Sequence, residues 1–136
     1  MFSGLFCLMF LSAPLVFSNE VRVDSRFLNI TRMLTTSTGT RYASAVDDGF
    51  LVSTDGGRSW LRKNNGLPEK IVYPFESTEI ETLTSIGFDP LNESRLVCTT
   101  AFGLFVSDDA GDSWRKIDIK SPVSSSNYIT GAALSP

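Results

Sequence analysis

Gly49-Phe50-Leu51-Val52-Ser53-Thr54-Asp55-Gly56-Gly57-Arg58-Ser59-Trp60 and Gly103-Leu104-Phe105-Val106-Ser107-Asp108-Asp109-Ala110-Gly111-Asp112-Ser113-Trp114 are two copies of one pattern. Each opens on glycine and a short apolar run, then reads Ser-x-Asp-x-Gly-x-Ser-Trp. So many fixed residues recurring at fixed offsets behind the same run mark an internal repeat, and repeats of this length indicate a repeat architecture.

The apolar runs, Phe50–Val52 and Leu104–Val106, are short, β-prone and bounded by glycine, as buried strands are. The segments that follow carry turn chemistry. An aspartate side chain accepts backbone N–H bonds a few residues on, and Gly57 or Gly111 takes a positive φ without steric cost. An extended pattern then restarts at Ser59-Trp60-Leu61 and at Ser113-Trp114-Arg115. Each copy reads as a β-hairpin whose second strand begins with a large aromatic, and burying that indole anchors packed sheets.

These residues resemble the Asp-box, or bacterial neuraminidase repeat, with pattern S-x-D-x-G-x-[ST]-W. Ser53, Asp55, Gly57, Ser59 and Trp60 match it in the first copy, and Ser107, Asp109, Gly111, Ser113 and Trp114 in the second. In that family the motif forms the turn between the third and fourth strands of a β-propeller blade. The resemblance therefore implies an all-β fold: a partial β-propeller with two four-stranded antiparallel blades and the first strand of a third. It says little about function, because sialidases, xyloglucan hydrolases, sortilin-type receptors and photosystem assembly factors all carry the motif.

The flanking sequence fills in the blades. Arg41–Val46 and Arg95–Thr100 precede the boxes as matching β-rich runs, with turns at Asp47-Asp48 and Ala101-Phe102. Leu83-Thr84-Ser85-Ile86-Gly87-Phe88-Asp89-Pro90 starts the second blade and is echoed by Ile129-Thr130-Gly131-Ala132-Ala133-Leu134-Ser135-Pro136. Proline ends both runs, as it does where a strand stops. Phe27–Leu34 is the candidate first strand of blade one. The expected spans are about 27–63 for blade one, 82–118 for blade two and 129–136 for the start of blade three. A propeller closes a ring of typically four to eight blades, so the chain reads as an N-terminal portion of a longer protein or as a unit that assembles with its own copies.

Residues 1–18 are uncharged and include the apolar run Leu5–Phe17, too short to span a bilayer comfortably. Val16 and Ser18 suit the −3 and −1 positions of a signal peptidase, with cleavage before Asn19. The expected location is secreted, periplasmic or the lumen of the secretory pathway. Cys7 leaves with the signal, so Cys98 alone remains and no disulfide framework forms within the chain. There is no histidine, which removes histidine acid–base catalysis, serine–histidine triads and most zinc sites. A net charge of −3 with scattered basic residues argues against nucleic acid as partner. No cofactor is implied.

The box aspartates are read as structural: Asp55 and Asp109 tie their own turns, and the resembled families keep the box away from the active site. Asp108, Asp109 and Asp112 lack the spacing of a calcium loop. The connection Asn64–Glu81 is the candidate ligand rim. It carries Tyr73, Phe75, Glu76, Glu79 and Glu81, suited to a polar ligand or a partner surface, or else its aromatics pack against the blades. Asn29-Ile30-Thr31 and Asn92-Glu93-Ser94 are sequons that make Asn29 and Asn92 glycan acceptors in a eukaryotic secretory host. The favoured function is an exported, non-enzymatic binding or assembly module that recognises a protein or glycan. The alternatives are a fragment of a sialidase-like or xyloglucanase-like hydrolase, or of a sortilin-type sorting receptor. The glutamates could supply a carboxylate pair for glycoside hydrolysis. The arginine-bearing strand motif of sialidases and the opening of xyloglucan hydrolases are both absent.

Overall fold

A computed structural model describes residues 22–24, 28–119 and 132–134. Strands account for 54% of them and none is helical, so the chain is all-β with antiparallel sheets. The expected signal peptide, and the third-blade strand apart from residues 132–134, lie outside the described residues; residues 132–134 themselves are not in strand.

The strands are β1 (Arg22–Asp24), β2 (Ile30–Thr35), β3 (Arg41–Ala45), β4 (Gly49–Ser53), β5 (Ser59–Arg62), β6 (Glu69–Val72), β7 (Ser77–Ile80), β8 (Ser85–Asp89), β9 (Asn92–Thr100), β10 (Gly103–Ser107) and β11 (Arg115–Ile117). They form a five-stranded sheet in the order β1-β5-β4-β3-β2, a four-stranded sheet β11-β10-β9-β8, and the hairpin β6-β7. The four strands expected of each repeat are therefore β2–β5 and β8–β11, each an up-and-down meander.

Two features differ from the sequence reading. β1 adds a fifth strand to the first sheet, pairing Arg22 with Leu61 and Val23 with Trp60, and so covers the outer edge of β5. The connection read as a loop between Asn64 and Glu81 contains the hairpin β6-β7, closed by Val72 opposite Ser77.

Alternation along the strands decides which faces meet. In the first meander Tyr42 opposes Val52 and Ser44 opposes Phe50. Their side is opposite to that of Ala43 and Leu51, because neighbouring residues in a strand point to opposite faces. In the second meander Ile86, Cys98 and Phe105 line up across three strands. The main core joins Tyr42, Phe50 and Val52 of the first sheet to Ile86, Leu96, Cys98, Phe105 and Trp114 of the second. A smaller cluster joins Ala43, Ala45, Leu51 and Trp60. Within the repeat Leu51 corresponds to Phe105, Ala43 to Cys98 and Trp60 to Trp114. The first sheet thus gives the core one face, and the second gives the counterpart of the first sheet's other face. The contact is heterologous, a head-to-tail stack in which unlike faces meet.

Both tryptophans are buried, Trp60 at 2% and Trp114 at 6% exposure, but they are held differently. Trp60 lies within β5, and its indole N–H donates to Gly57 O of its own turn at 3.1 Å. Trp114 stands just before β11. Its backbone N–H donates to Asn65 O at 2.8 Å and its indole N–H to Lys63 O at 2.9 Å. Its ring meets Phe50 edge-on with centroids 4.9 Å apart. Gly66 lies against this joint with φ +89°, and a Cβ there would sit 2.1 Å from Trp114 O. That oxygen is backbone and cannot swing away.

A second repeated contact marks the other side of each meander. Thr31 Oγ1 pairs with Ser44 Oγ at 3.0 Å, and Thr84 Oγ1 with Thr99 Oγ1 at 2.7 Å. Each threonine also donates to its partner's backbone carbonyl at 3.2 Å. Among the described residues no buried side-chain nitrogen or oxygen lacks a hydrogen bond.

Two substitution series check this packing. Trp60→Ala and Trp114→Ala each cost about 3–5 kcal/mol, as large-to-small core changes do. Gly66→Ala and Gly39→Ala share the strain of a positive φ (+89° and +87°), but only the first collides, since nothing lies within 4 Å of the Gly39 position. Gly66→Ala is expected to cost about 1–3 kcal/mol more in a denaturant melt. Equal losses would show that the second box does not dock at residues 64–66.

Candidate functional site

The box residues form two closed turns of the same design. Ser53 Oγ donates to Asp55 Oδ1 at 2.8 Å and accepts the Gly57 N–H at 2.9 Å. Asp55 Oδ1 accepts the Arg58 and Ser59 N–H groups, each at 3.0 Å, and Asp55 Oδ2 accepts the Ser59 hydroxyl at 2.6 Å. In the second box Ser107 Oγ donates to Asp109 Oδ1 at 2.7 Å and accepts the Gly111 N–H at 2.9 Å. Asp109 Oδ1 accepts the Ser113 N–H at 2.9 Å, while Oδ2 takes the Ser113 hydroxyl.

Each aspartate is an acceptor for nearly every donor its turn exposes. The Ser59 hydroxyl above all, then the Ser59 N–H and the Ser53 hydroxyl, hold Asp55 well below the usual carboxylate range. The Ser113 and Ser107 hydroxyls and the Ser113 N–H lower Asp109 to about 2. A carboxylate so engaged is a poor proton donor or base at neutral pH. Nearby acids are engaged too. Asp108 is ion-paired with Arg95 at 3.2 Å and Arg115 at 3.3 Å, and Asp112 with Lys63 at 2.5 Å.

The candidate rim residues divide between two places. Tyr73 and Glu76 occupy the tip of the β6-β7 hairpin with Pro74 and Phe75, where the Tyr73–Pro74 peptide is cis and Glu76 has φ 51°. Glu79 lies lower, in β7 opposite Lys70, whose ammonium sits 3.7 Å from Glu79 Oε2 and 3.2 Å from Asp47 Oδ1. Tyr73 and Glu76 therefore share the tip, and Glu79 stands on the stem. The aromatics do not pack against the sheets: Tyr73 is 75% exposed and Phe75 85%, and Ile71 beside them is exposed.

The hairpin stem is fixed in place. Glu81 N–H donates to Pro68 O at 2.9 Å, Leu67 is buried and Ile80 packs on the main core. Asn64 Oδ1 accepts the Phe50 N–H at 2.7 Å and Asn64 Nδ2 donates to Asp48 O at 2.7 Å. A Cβ at Gly49 would lie 2.6 Å from Ile80 Cγ2, so the stem rises directly from the start of β4. The first box follows the end of β4, and the hairpin and that box leave the first sheet at opposite ends.

Both sequon asparagines are exposed. Asn29 precedes β2, and Asn92 opens β9 with its Oδ1 accepting the Ser94 N–H at 3.3 Å. Sequence reading missed the hydroxyl pairs and the hairpin; the threonine shared by Thr31 and Thr84 was the available signal for the former.

The two box carboxylates give a pH test. Their folded values lie below the unfolded value of about 4, so the stability they add is complete above that value. It is lost as the pH falls toward about 2, the folded value of Asp109. The Asp55→Asn, Asp109→Asn double variant is expected to be less stable at pH 7, yet to lose less of its melting temperature between pH 5 and pH 2 than the wild type. Parallel curves would show that the boxes are not what titrates.

No family model, curated protein or solved structure matches the chain.

Proposed function

We propose that the chain is part of an Asp-box β-propeller serving as an exported binding or assembly module, with the β6-β7 hairpin as its contact element. The propeller reading is supported by two meanders of the same strand order, by turn networks in which the same serine and aspartate atoms close both boxes, and by stacking through unlike faces, which lets further blades add in the same sense. Export rests on the uncharged, apolar first eighteen residues.

One observation carries the functional reading: two aromatic side chains stand in solvent at the tip of a hairpin whose stem is anchored in the core. Exposed aromatics on a fixed support are the usual anchors of protein interfaces, since they bury large areas with little ordering cost. Glu76 follows Phe75 in an exposed position, and Lys70, the cation in the hairpin, is engaged by Asp47 and Glu79. The partner this tip fits is a protein with an apolar pocket rimmed by basic residues. The hydrolase alternative gains nothing from the geometry, because Glu76 stands on the exposed tip and Glu79 in an ion pair.

The test places a photo-crosslinking residue at position 75 or, on the box end, at position 58, in the native host. Crosslinking to a defined partner is expected from position 75 alone, with Tyr73→Ala lowering the yield about tenfold or more. The purified chain is expected to leave aryl glycosides, sialosides and xyloglucan intact. Equal yields from both positions, or glycosidase turnover that vanishes on Glu76→Gln, would overturn the reading.

A further inference from the structure

At the box end, away from the hairpin, the two sheets part to leave an open cleft of about 590 Å³. That size falls within the range of ligand sites. Its floor is Tyr42 and Val52; one wall is the β2–β3 turn and the other the β8–β9 turn, with Thr54, Lys63 and Ala110 closing the ends. We propose that this cleft binds an uncharged sugar.

The charged groups of the cleft already have partners within the protein, an opposite charge for Lys63 and neutral donors for Glu93. The Lys63 ammonium lies 2.5 Å from Asp112 Oδ1. The Glu93 carboxylate accepts the Ser37 N–H at 2.7 Å and the Ser37 hydroxyl at 3.0 Å. An anionic ligand would have to displace Asp112 from the lysine, and a cationic one would meet a carboxylate whose two oxygens each already accept a hydrogen bond from Ser37.

Several backbone donors of the walls are committed as well. Thr36 N–H donates to Thr40 O, Gly39 N–H to Thr36 O, Leu91 N–H to Asp89 and Ser94 N–H to Asn92. An extended peptide, which is recognised through a row of backbone groups, finds no such row here. What remains is a ring of hydroxyls and an amide. Those of Thr40, Thr54 and Ser94, and the Asn92 Nδ2, make no hydrogen bond among the described residues. A Ser or Thr hydroxyl donates or accepts as it rotates, which matches a sugar hydroxyl that also does both. Leu91, 80% exposed, and Pro90 beside it supply an apolar ledge for the C–H face of a pyranose.

The test is a ¹⁵N NMR titration of the full chain, made in bacteria so that Asn92 is unmodified, with cellotriose, maltotriose and N-acetylated chitotriose as probes. At least one is expected to give saturable shifts at the amides of Thr38, Thr40, Thr54 and Leu91–Ser94, with a dissociation constant of about 1–10 mM. Thr40→Val with Ser94→Ala is expected to weaken it about tenfold, through two lost hydrogen bonds. Should that pair disturb the spectrum beyond the cleft, Thr54→Trp, at an exposed position, blocks the cleft and abolishes the shifts. Tyr73→Ala leaves the affinity unchanged, which separates this site from the hairpin. Absence of saturable shifts with all three sugars, an affinity indifferent to these cleft variants, or tighter binding of a Gly-Ser peptide or a glucuronate trisaccharide would overturn the proposal.

Discussion

The seating of the second box on the chain segment that follows the first sheet holds the rest in place. Trp114 binds Asn65 and Lys63 with its backbone and its indole N–H, and turns its ring edge onto Phe50. The approach is so close that position 66 has no room for a side chain, and Gly111 also crowds Phe50, 2.6 Å from Cε1 to a hypothetical Cβ. Neither sheet could bury an apolar face alone, since a lone meander leaves one exposed to water. The joint brings the two faces into register and turns two marginal sheets into one core.

The boxes make that joint stiff. A five-residue turn between strands exposes several backbone N–H groups, and a buried or half-buried end cannot leave them unsatisfied. One aspartate and two serines close each turn from inside, so the tryptophan that follows is delivered in a defined direction. Glycine at the fourth position serves the same end, with φ of +87° at Gly57 and +92° at Gly111. At the inner strands the Thr31–Ser44 and Thr84–Thr99 hydroxyl pairs set the strand offset again. Each meander is thus pinned near both its outer turn and its inner edge. A slip of one residue would expose the core face and break both pins.

Legibility in the sequence followed this division of labour. Box turns, flanking strands and buried tryptophans rest on local chemistry at short spacing, so residue type and offset reveal them. β1 could not be read because Arg22-Val23-Asp24 is too short to carry a period and acquires strand form only by pairing with β5. The hairpin was hidden because Glu69–Val72 and Ser77–Ile80 are brief, mixed in polarity and surrounded by proline, and their pairing depends on a stem held by Asn64, Leu67 and Ile80. The sequence grouped Tyr73, Glu76 and Glu79 on one rim, but Glu79 sits in β7 with its carboxylate beside Lys70 of the opposite strand, a pairing that residue type and spacing did not reveal. The sugar cleft was invisible for the same reason: its walls come from turns far apart in sequence that meet only when the sheets stack.

The same distinction explains where the chain has latitude. Inside the meanders nearly every position is bound to the repeat, by a turn network, a hydroxyl pair or a face that must match its neighbour. Asn64–Glu81 answers to the repeat only at its ends, where Asn64 caps the start of β4 and Ile80 fills the space above Gly49. Between those two ties the chain is released from packing constraints, and there it places its most exposed aromatics. A binding element can change in such an insertion without disturbing the stack, whereas a change in either box would disturb both sheets at once. The stack itself imposes one more condition. Because unlike faces meet, a following unit needs the marks already used twice, and the stretch Ile129–Pro136 carries Thr130 where the earlier copies have Thr31 and Thr84.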